Sequence, residues 1–159
     1  MRVRRIAEID WELARALRLR ALQESPDAFA ATYAEEHGMA DALWQARARS
    51  NAAGIDTAGF LAVEGEREVG LAVGVRKASA VELNAMWVAP EARRHGAARA
   101  LIEAVAAWAV EIGATELSLE VTHTSHAAQA LYRGFGFVES GEGCCGARRA
   151  SALKMRRGI

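Results

Sequence analysis

Lysine is almost missing from this chain: of its twenty basic residues only Lys77 and Lys154 are lysine, and the rest are arginine. The planar guanidinium suits forked recognition of phosphate, although a compositional bias produces the same count. Net charge is missing as well, with twenty basic residues against twenty acidic ones. A broad polyanion-binding surface is therefore not expected, nucleic acid is not an expected partner, and any attraction for phosphate must be local. Cysteine is confined to the adjacent pair Cys144 and Cys145. A bond between neighbours would be strained and would close no useful loop, so free thiols are expected. Without a third nearby ligand the pair makes no zinc site, and no metal is expected. No apolar run approaches membrane-spanning length, so a membrane is not an expected partner. The basic start Met1-Arg2-Val3-Arg4-Arg5 lacks an apolar stretch behind it, and Glu8, Asp10 and Glu12 argue against a transit peptide. A cytoplasmic location is the expectation.

What is present suits one domain over residues 1–159, since 52% of the chain is hydrophobic and 25% charged. Val3 to Ile6 reads as a short strand. Asp10 is a candidate N-cap for a helix with Leu13, Leu17 and Leu22 near one face, broken by Ser25-Pro26-Asp27. Ala28 to Ser50 is a second helical region divided at Gly38, and Asn51 to Gly59 a loop. Phe60–Val63 and Val69–Val75 form a hairpin through Glu64-Gly65-Glu66-Arg67, and Val81 to Val88 is a third strand. A helix from about Ala97 to Ile112 carries Leu101, Val105, Trp108 and Ile112 on one side and stops at Gly113. Glu116 to Thr122 alternates as a strand, Ser125 caps a short helix, and strands follow Phe137 and around Leu153–Met155. The order gives an α/β fold, with helices on both faces of one mixed sheet.

The stretch Met86-Trp87-Val88-Ala89-Pro90-Glu91-Ala92-Arg93-Arg94-His95-Gly96-Ala97-Ala98-Arg99 carries most of the functional information. A strand ends at a proline, and a basic loop reaches one glycine where an amphipathic helix begins. Helix N-termini favour anions through exposed N–H groups and the helix dipole, and Gly96 lets the backbone come close. On these residues alone, an anion nest and a solvated helix entry stand as equals. A Walker-type loop is excluded because no Gly-Lys-Ser/Thr follows, and a dinucleotide fingerprint lacks two of its three glycines.

Val88-x-Pro90-x-x-Arg93-x-x-Gly96-x-Ala98 resembles the acetyl-CoA-binding motif of the GNAT superfamily of N-acetyltransferases. Downstream, Ser125-x-x-Ala128-x-x-Leu131-Tyr132-x-x-x-Gly136-Phe137 resembles the second motif of that superfamily. Two partial motifs in the right order are more specific than either alone. The resemblance implies the GNAT fold, a mostly antiparallel sheet splayed at its centre. It implies acetyl-CoA as cosubstrate and direct attack by a bound amine in a ternary complex. Arg93, Arg94, His95, Gly96, Ala97, Ala98 and Arg99 would cradle the pyrophosphate, and the backbone of Met86, Trp87 and Val88 would lie along the pantetheine. Ser125 and Ala128 would border the cofactor, Ser125 standing where asparagine is frequent and Arg94 where glycine is common. The N–H of Val88 is the implied oxyanion donor and Tyr132 the implied general acid beside the sulfur.

The base stays open between Glu82 and Glu120. Each sits on a central strand, where a carboxylate is costly to bury unless it is paired or functional, and each could instead form an ion pair with an arginine. Asn84, on the same face as Glu82, could orient water or amine. His123 either lines the acceptor mouth or is exposed. The acceptor is a small-molecule or peptide amine whose identity leaves no motif, and a homodimer is an expectation from the family only. A non-catalytic acyl-CoA-binding sensor or assembly module on the same fold is the alternative.

Overall fold

A computed structural model describes residues 1–143 and 152–159. Cys144 and Cys145, expected as free thiols, lie outside the described residues. The chain begins with β1 (Arg2–Arg5) and α1 (Trp11–Glu24), followed by α2 (Tyr33–His37) and α3 (Asp41–Ala53). Three long strands come next: β2 (Thr57–Glu64), β3 (Arg67–Arg76) and β4 (Ala80–Val88). Then come α4 (Ala97–Glu111), β5 (Glu116–Thr122), α5 (His126–Gly134), β6 (Val138–Gly143) and β7 (Ala152–Gly158). The strands form one sheet in the order β1-β2-β3-β4-β5-β7-β6, joining the two ends of the chain.

Every neighbouring pair is antiparallel except β4 and β5. Their parallel ladder covers only Ala80–Glu116, Val81–Leu117 and Glu82–Ser118. Beyond Glu82 and Ser118 the two strands separate, and β4 continues to Val88 with no ladder partner on that side among the described residues. A bulge accompanies the split: between the pairs Leu71–Trp87 and Val73–Asn84, β4 carries one residue more than β3. Ala85, inside the bulge, takes a left-handed φ of 52°. Bulges bend a strand and increase its twist, which here turns the end of β4 away from β5.

Alternation along the strands sends side chains to two layers. A Cβ at Gly74 would stand 2.9 Å from the Trp108 ring and 3.0 Å from Val105, so glycine lets α4 sit directly on β3. Leu101, Ile102 and Val105 of α4 are fully buried there, each such side chain contributing about 1.5–3 kcal/mol. On the other face a Cβ at Gly59 would meet Asn51 of α3. A smaller cluster of Leu19, Leu22 and Trp44 packs α1 against α3.

Two expected helix caps take other partners close by in the chain. Asp10 precedes α1 but makes no side-chain cap; its carboxylate accepts from Arg4 Nη1 at 2.7 Å and from the Ala7 N–H at 2.7 Å. Ser125 likewise stands at the N-cap of α5 without a side-chain cap bond, its hydroxyl paired with that of Thr122. Short polar side chains readily take other nearby partners in place of first-turn N–H groups. The region from Ala28 to Ser50 contains two helices separated at Gly38, and the expected loop after it is shorter because α3 runs to Ala53 and β2 starts at Thr57.

Candidate active site

The gap between β4 and β5 opens into a cavity of about 400 Å³. Glu82, Asn84 and Met86 line it from β4, Glu120 from β5, Tyr132 from α5, and Phe29 from the segment after α1. Five residues singled out from the sequence therefore meet at one opening, contributed by three elements. Glu82 Oε1 accepts from Asn84 Nδ2 at 2.9 Å, as their shared strand face predicts. Glu120 faces Lys154 in the register of β5 with β7.

Tyr132 is buried, with its ring edge-on to Phe137 at 5.6 Å between centroids. Burial pushes its hydroxyl above the ordinary phenol range, because the ionised form would lose its hydration. It therefore stays protonated, as a donor must. Three positions earlier on α5, buried Gln129 donates to the carbonyls of Thr122 at 2.9 Å and His123 at 3.0 Å. These bonds tie α5 to the free end of β5. Nothing in the motifs marks Gln129, although an amide three residues before Tyr132 falls on the same helix face.

The end of β4 has its own geometry. Ala89 donates its N–H to Val69 of β3 at 2.8 Å. Strand alternation then turns the N–H and carbonyl of Val88 to the other edge, into the gap. Val88 is itself buried, and Trp87 faces Leu71 in register with its ring under the Arg20 guanidinium at 5.4 Å. Past Pro90 a single 3-10 turn (Pro90–Ala92) leads to Arg93 in extended backbone. Arg94 and Gly96 both have left-handed backbone, with φ of 68° and 89°. The α4 helix starts at Ala97 with no side-chain cap and no acidic residue in its first turn. Its leading N–H groups thus have no intrahelical or capping acceptor among the described residues, and no first-turn carboxylate competes for the positive end of the dipole. A Cβ at Gly96 would meet nothing within 4 Å, so glycine serves the backbone angle there.

The loop side chains differ in what they do. Arg93, although exposed, is tied on two sides: Nε donates to the Val88 carbonyl at 3.0 Å and Nη2 to Glu24 at 2.7 Å. His95 Nδ1 lies 2.9 Å from Glu64, and Arg99 lies over the Phe135 ring at 4.7 Å, which joins the first turn of α4 to the end of α5. Arg94 is exposed, Ala97 buried and Ala98 half-buried. Ser125 and Ala128 are half-buried on α5. His123 is exposed, does not line the cavity, and pairs with Glu142 at 2.9 Å, which ties it to β6. Among the described residues no cluster of histidine, cysteine, aspartate and glutamate could hold a metal, and no helix is long and apolar enough to cross a membrane.

The cavity wall beside Phe29 rests on one buried carboxylate. Glu36, only 4% exposed, accepts from Arg18 Nε at 3.0 Å, Arg18 Nη2 at 3.1 Å and Arg47 Nη1 at 3.0 Å. Burial opposes its charge, but the two guanidinium groups outweigh it and hold the carboxyl below its ordinary range. Arg18 in turn lies over Phe29 at 4.8 Å, fixing that ring at the cavity.

Comparison with known proteins agrees with this geometry. The model of the acetyltransferase (GNAT) family matches residues 19–137. Nothing among curated proteins matches. The fold is similar to that of a nourseothricin acetyltransferase, with 31% identity, a TM-score of 0.61 and 65% of each chain covered. It is also similar to a GNAT-family acetyltransferase from Streptococcus pneumoniae, at 16% identity and a TM-score of 0.79 over 99% of both chains. The PaiA N-acetyltransferase from Thermoplasma acidophilum, solved in complex with coenzyme A, matches at 14% identity and a TM-score of 0.71, covering 99% of this chain and 98% of its own.

Proposed function

The chain belongs to the acetyltransferase (GNAT) family, whose acyl donor is acetyl-CoA, and on that premise we propose that it moves an acetyl group to an amine held in the gap between β4 and β5. One observation carries this reading. The parting of β4 from β5 leaves two carboxylates and the protonated hydroxyl of Tyr132 around one opening, with the unpaired edge of β4 running on past Met86 to Val88.

The donor would enter from the α4 side. The N–H groups of the loop from Arg94 to Ala98, with the side chains of Arg94 and Arg99, would hold the pyrophosphate at the uncapped start of α4. The edge of β4 from Met86 to Val88 would hold the pantetheine as a further strand, with Ser125 and Ala128 of α5 along its other side. The acceptor would lie against Phe29, Glu82, Asn84 and Glu120. Holding both reactants together supplies much of the acceleration.

Three residues would then act on the reacting atoms. The Val88 N–H stabilises charge on the thioester oxygen, an interaction worth about 10²–10³ in rate where one such donor is removed. Glu82, oriented by Asn84, or Glu120 across the gap takes the proton that the bound ammonium must lose before its nitrogen can attack. Tyr132 donates to the departing sulfur. Two carboxylates around the opening favour an acceptor with positive charge.

The test is a screen in which released CoA thiol is measured with acetyl-CoA and a panel of amines. The panel holds nourseothricin, aminoglycosides, amino acids and peptides ending in a free α-amine or lysine. Release with one amine class, saturating in both substrates, is the expected result. Tight acetyl-CoA binding with no transfer to any class would overturn the enzyme reading in favour of an acyl-CoA sensor.

A further inference from the structure

Glu24, the last residue of α1, lies 69 residues before Arg93 and belongs to none of the motifs above. One of its carboxylate oxygens, Oε2, accepts from three groups. The Trp87 indole donates at 2.9 Å, Arg93 Nη2 donates at 2.7 Å, and the Ser25 hydroxyl donates at short range. Arg93 passes the connection on, since its Nε holds the Val88 carbonyl at 3.0 Å. Trp87 and Arg93 lie on either side of Val88 in the chain, so a single carboxylate grips β4 and the loop around the residue with the gap-facing N–H. The residues directly after Glu24 lead through Pro26–Ala28 to Phe29 and Ala30, which line the cavity.

We propose that Glu24 is a positioning residue that latches the donor loop and the end of β4 to the acceptor-side helix. The inference rests on the donor and acceptor assignment given above. With the latch closed, Arg93 is fixed by two bonds in different directions and the peptide joining Val88 to Ala89 is held from its carbonyl side. That peptide also donates to Val69, so it is anchored at both ends. The edge that would face the thioester oxygen is thereby set before any ligand arrives, which is the form of organisation that lowers the cost of binding and reaction. Burial works against the charge of Glu24, but hydrogen bonds from Ser25, Trp87 and Arg93 hold its carboxyl at about 2. The latch is therefore ionised in any assay near neutrality.

Glu24→Gln keeps an acceptor for Trp87 and removes the charge that Arg93 meets. Three measurements are made on it. Hydrogen–deuterium exchange of the peptide spanning residues 89–97, without ligand, should speed up at least fivefold. CoA affinity by calorimetry should fall at least fivefold, and kcat at saturating acetyl-CoA should fall with it. Arg93→Met should reproduce these changes, and adding Glu24→Gln to it should change each by less than twofold. Arg49→Gln, which breaks only the exposed pair with Glu8, should leave all of them unchanged. Exchange, affinity and kcat within twofold of wild type in folded Glu24→Gln would overturn the latch, as would full additivity with Arg93→Met. Should Glu24→Gln not fold, Trp87→Phe removes one of the three donors and must show the same direction in exchange. Wild-type protein that binds no CoA refutes the donor assignment instead, while the exchange result still decides the latch.

Discussion

The donor loop and the acceptor wall meet at the same gap, yet they are built from different chemistry. From Arg94 to Ala98 the proposed donor contacts are main-chain N–H groups at the start of α4, oriented by the backbone angles at Arg94 and Gly96. Several loop side chains turn elsewhere, Arg93 toward Glu24 and His95 toward Glu64. The proposed acceptor wall is made of side chains. Phe29, Glu82, Glu120 and Tyr132 come from four separate stretches, and Arg18, held by Glu36, braces Phe29. A backbone site needs a local pattern and tolerates exchange of its side chains. A side-chain site needs long-range packing and can be retuned by single substitutions.

The sharpest way to break this contrast is at Tyr132. Phe fills the same volume and keeps the edge contact with Phe137, so folding should be unaffected. Removing the hydroxyl should lower kcat by about 10²–10³, within the range general acid catalysis supplies, with CoA affinity within about twofold. Because burial raises the Tyr132 hydroxyl above its ordinary value near 10, no alkaline limb below about pH 10 should disappear in the variant. Steady-state kinetics with calorimetry check both parts, and an unchanged kcat would remove Tyr132 from the chemistry.

Glu36 tests the bracing of the acceptor wall. Glu36→Ala leaves Arg18 buried without its carboxylate, and breaking such a pair costs about 3 kcal/mol. At this chain length that is a fall in Tm on the order of 10 °C. The pH dependence follows from the direction of its shift. The folded carboxyl is held below its ordinary value of 4.5, so its contribution is complete above that value and is lost as pH falls through the folded value. The stability difference between wild type and variant should therefore shrink as the pH drops below about 4.5. Acceptor KM should rise as Arg18 and Phe29 loosen, while the affinity for CoA stays near that of wild type. A matching loss of CoA affinity would show that the two sides are not separable in this way.

The same division explains what could be seen in the sequence. The strand before Pro90, Gly96 and the amphipathic helix behind it are local signals, and they appear as β4, the loop and α4. The run from Glu116 to Thr122 alternates and forms β5 with those same ends. The bulge at Ala85 left no mark, because an alanine with positive φ is imposed by the pairing of β4 with β3. Glu24 was illegible for a related reason, since its partners Trp87 and Arg93 are 63 and 69 residues away. Asp10 and Ser125 have the composition of caps, yet Arg4 and Thr122 engage them instead. Local pattern reaches as far as one element and its turn, whereas bracing of side chains between elements needs the fold.

Ser125 gives the smallest expected effect and the finest test of the contrast. It is a side-chain contribution to the otherwise backbone-made donor side, at a position where the resembling motif frequently has asparagine. Its hydroxyl is occupied by Thr122, so serine spends its one polar group on the β5–α5 junction and has little reach toward a ligand. Asparagine is longer and carries both a donor and an acceptor, so Ser125→Asn could keep a bond to Thr122 and add one to the pantetheine. One added hydrogen bond nets about 0.5–1.5 kcal/mol, which predicts a fall in acetyl-CoA KM of about two- to tenfold. Since the contact exists before and after the chemical step, kcat should stay within about twofold. A KM that does not fall would mean that the donor side is complete in its main chain and that Ser125 serves only the junction between β5 and α5.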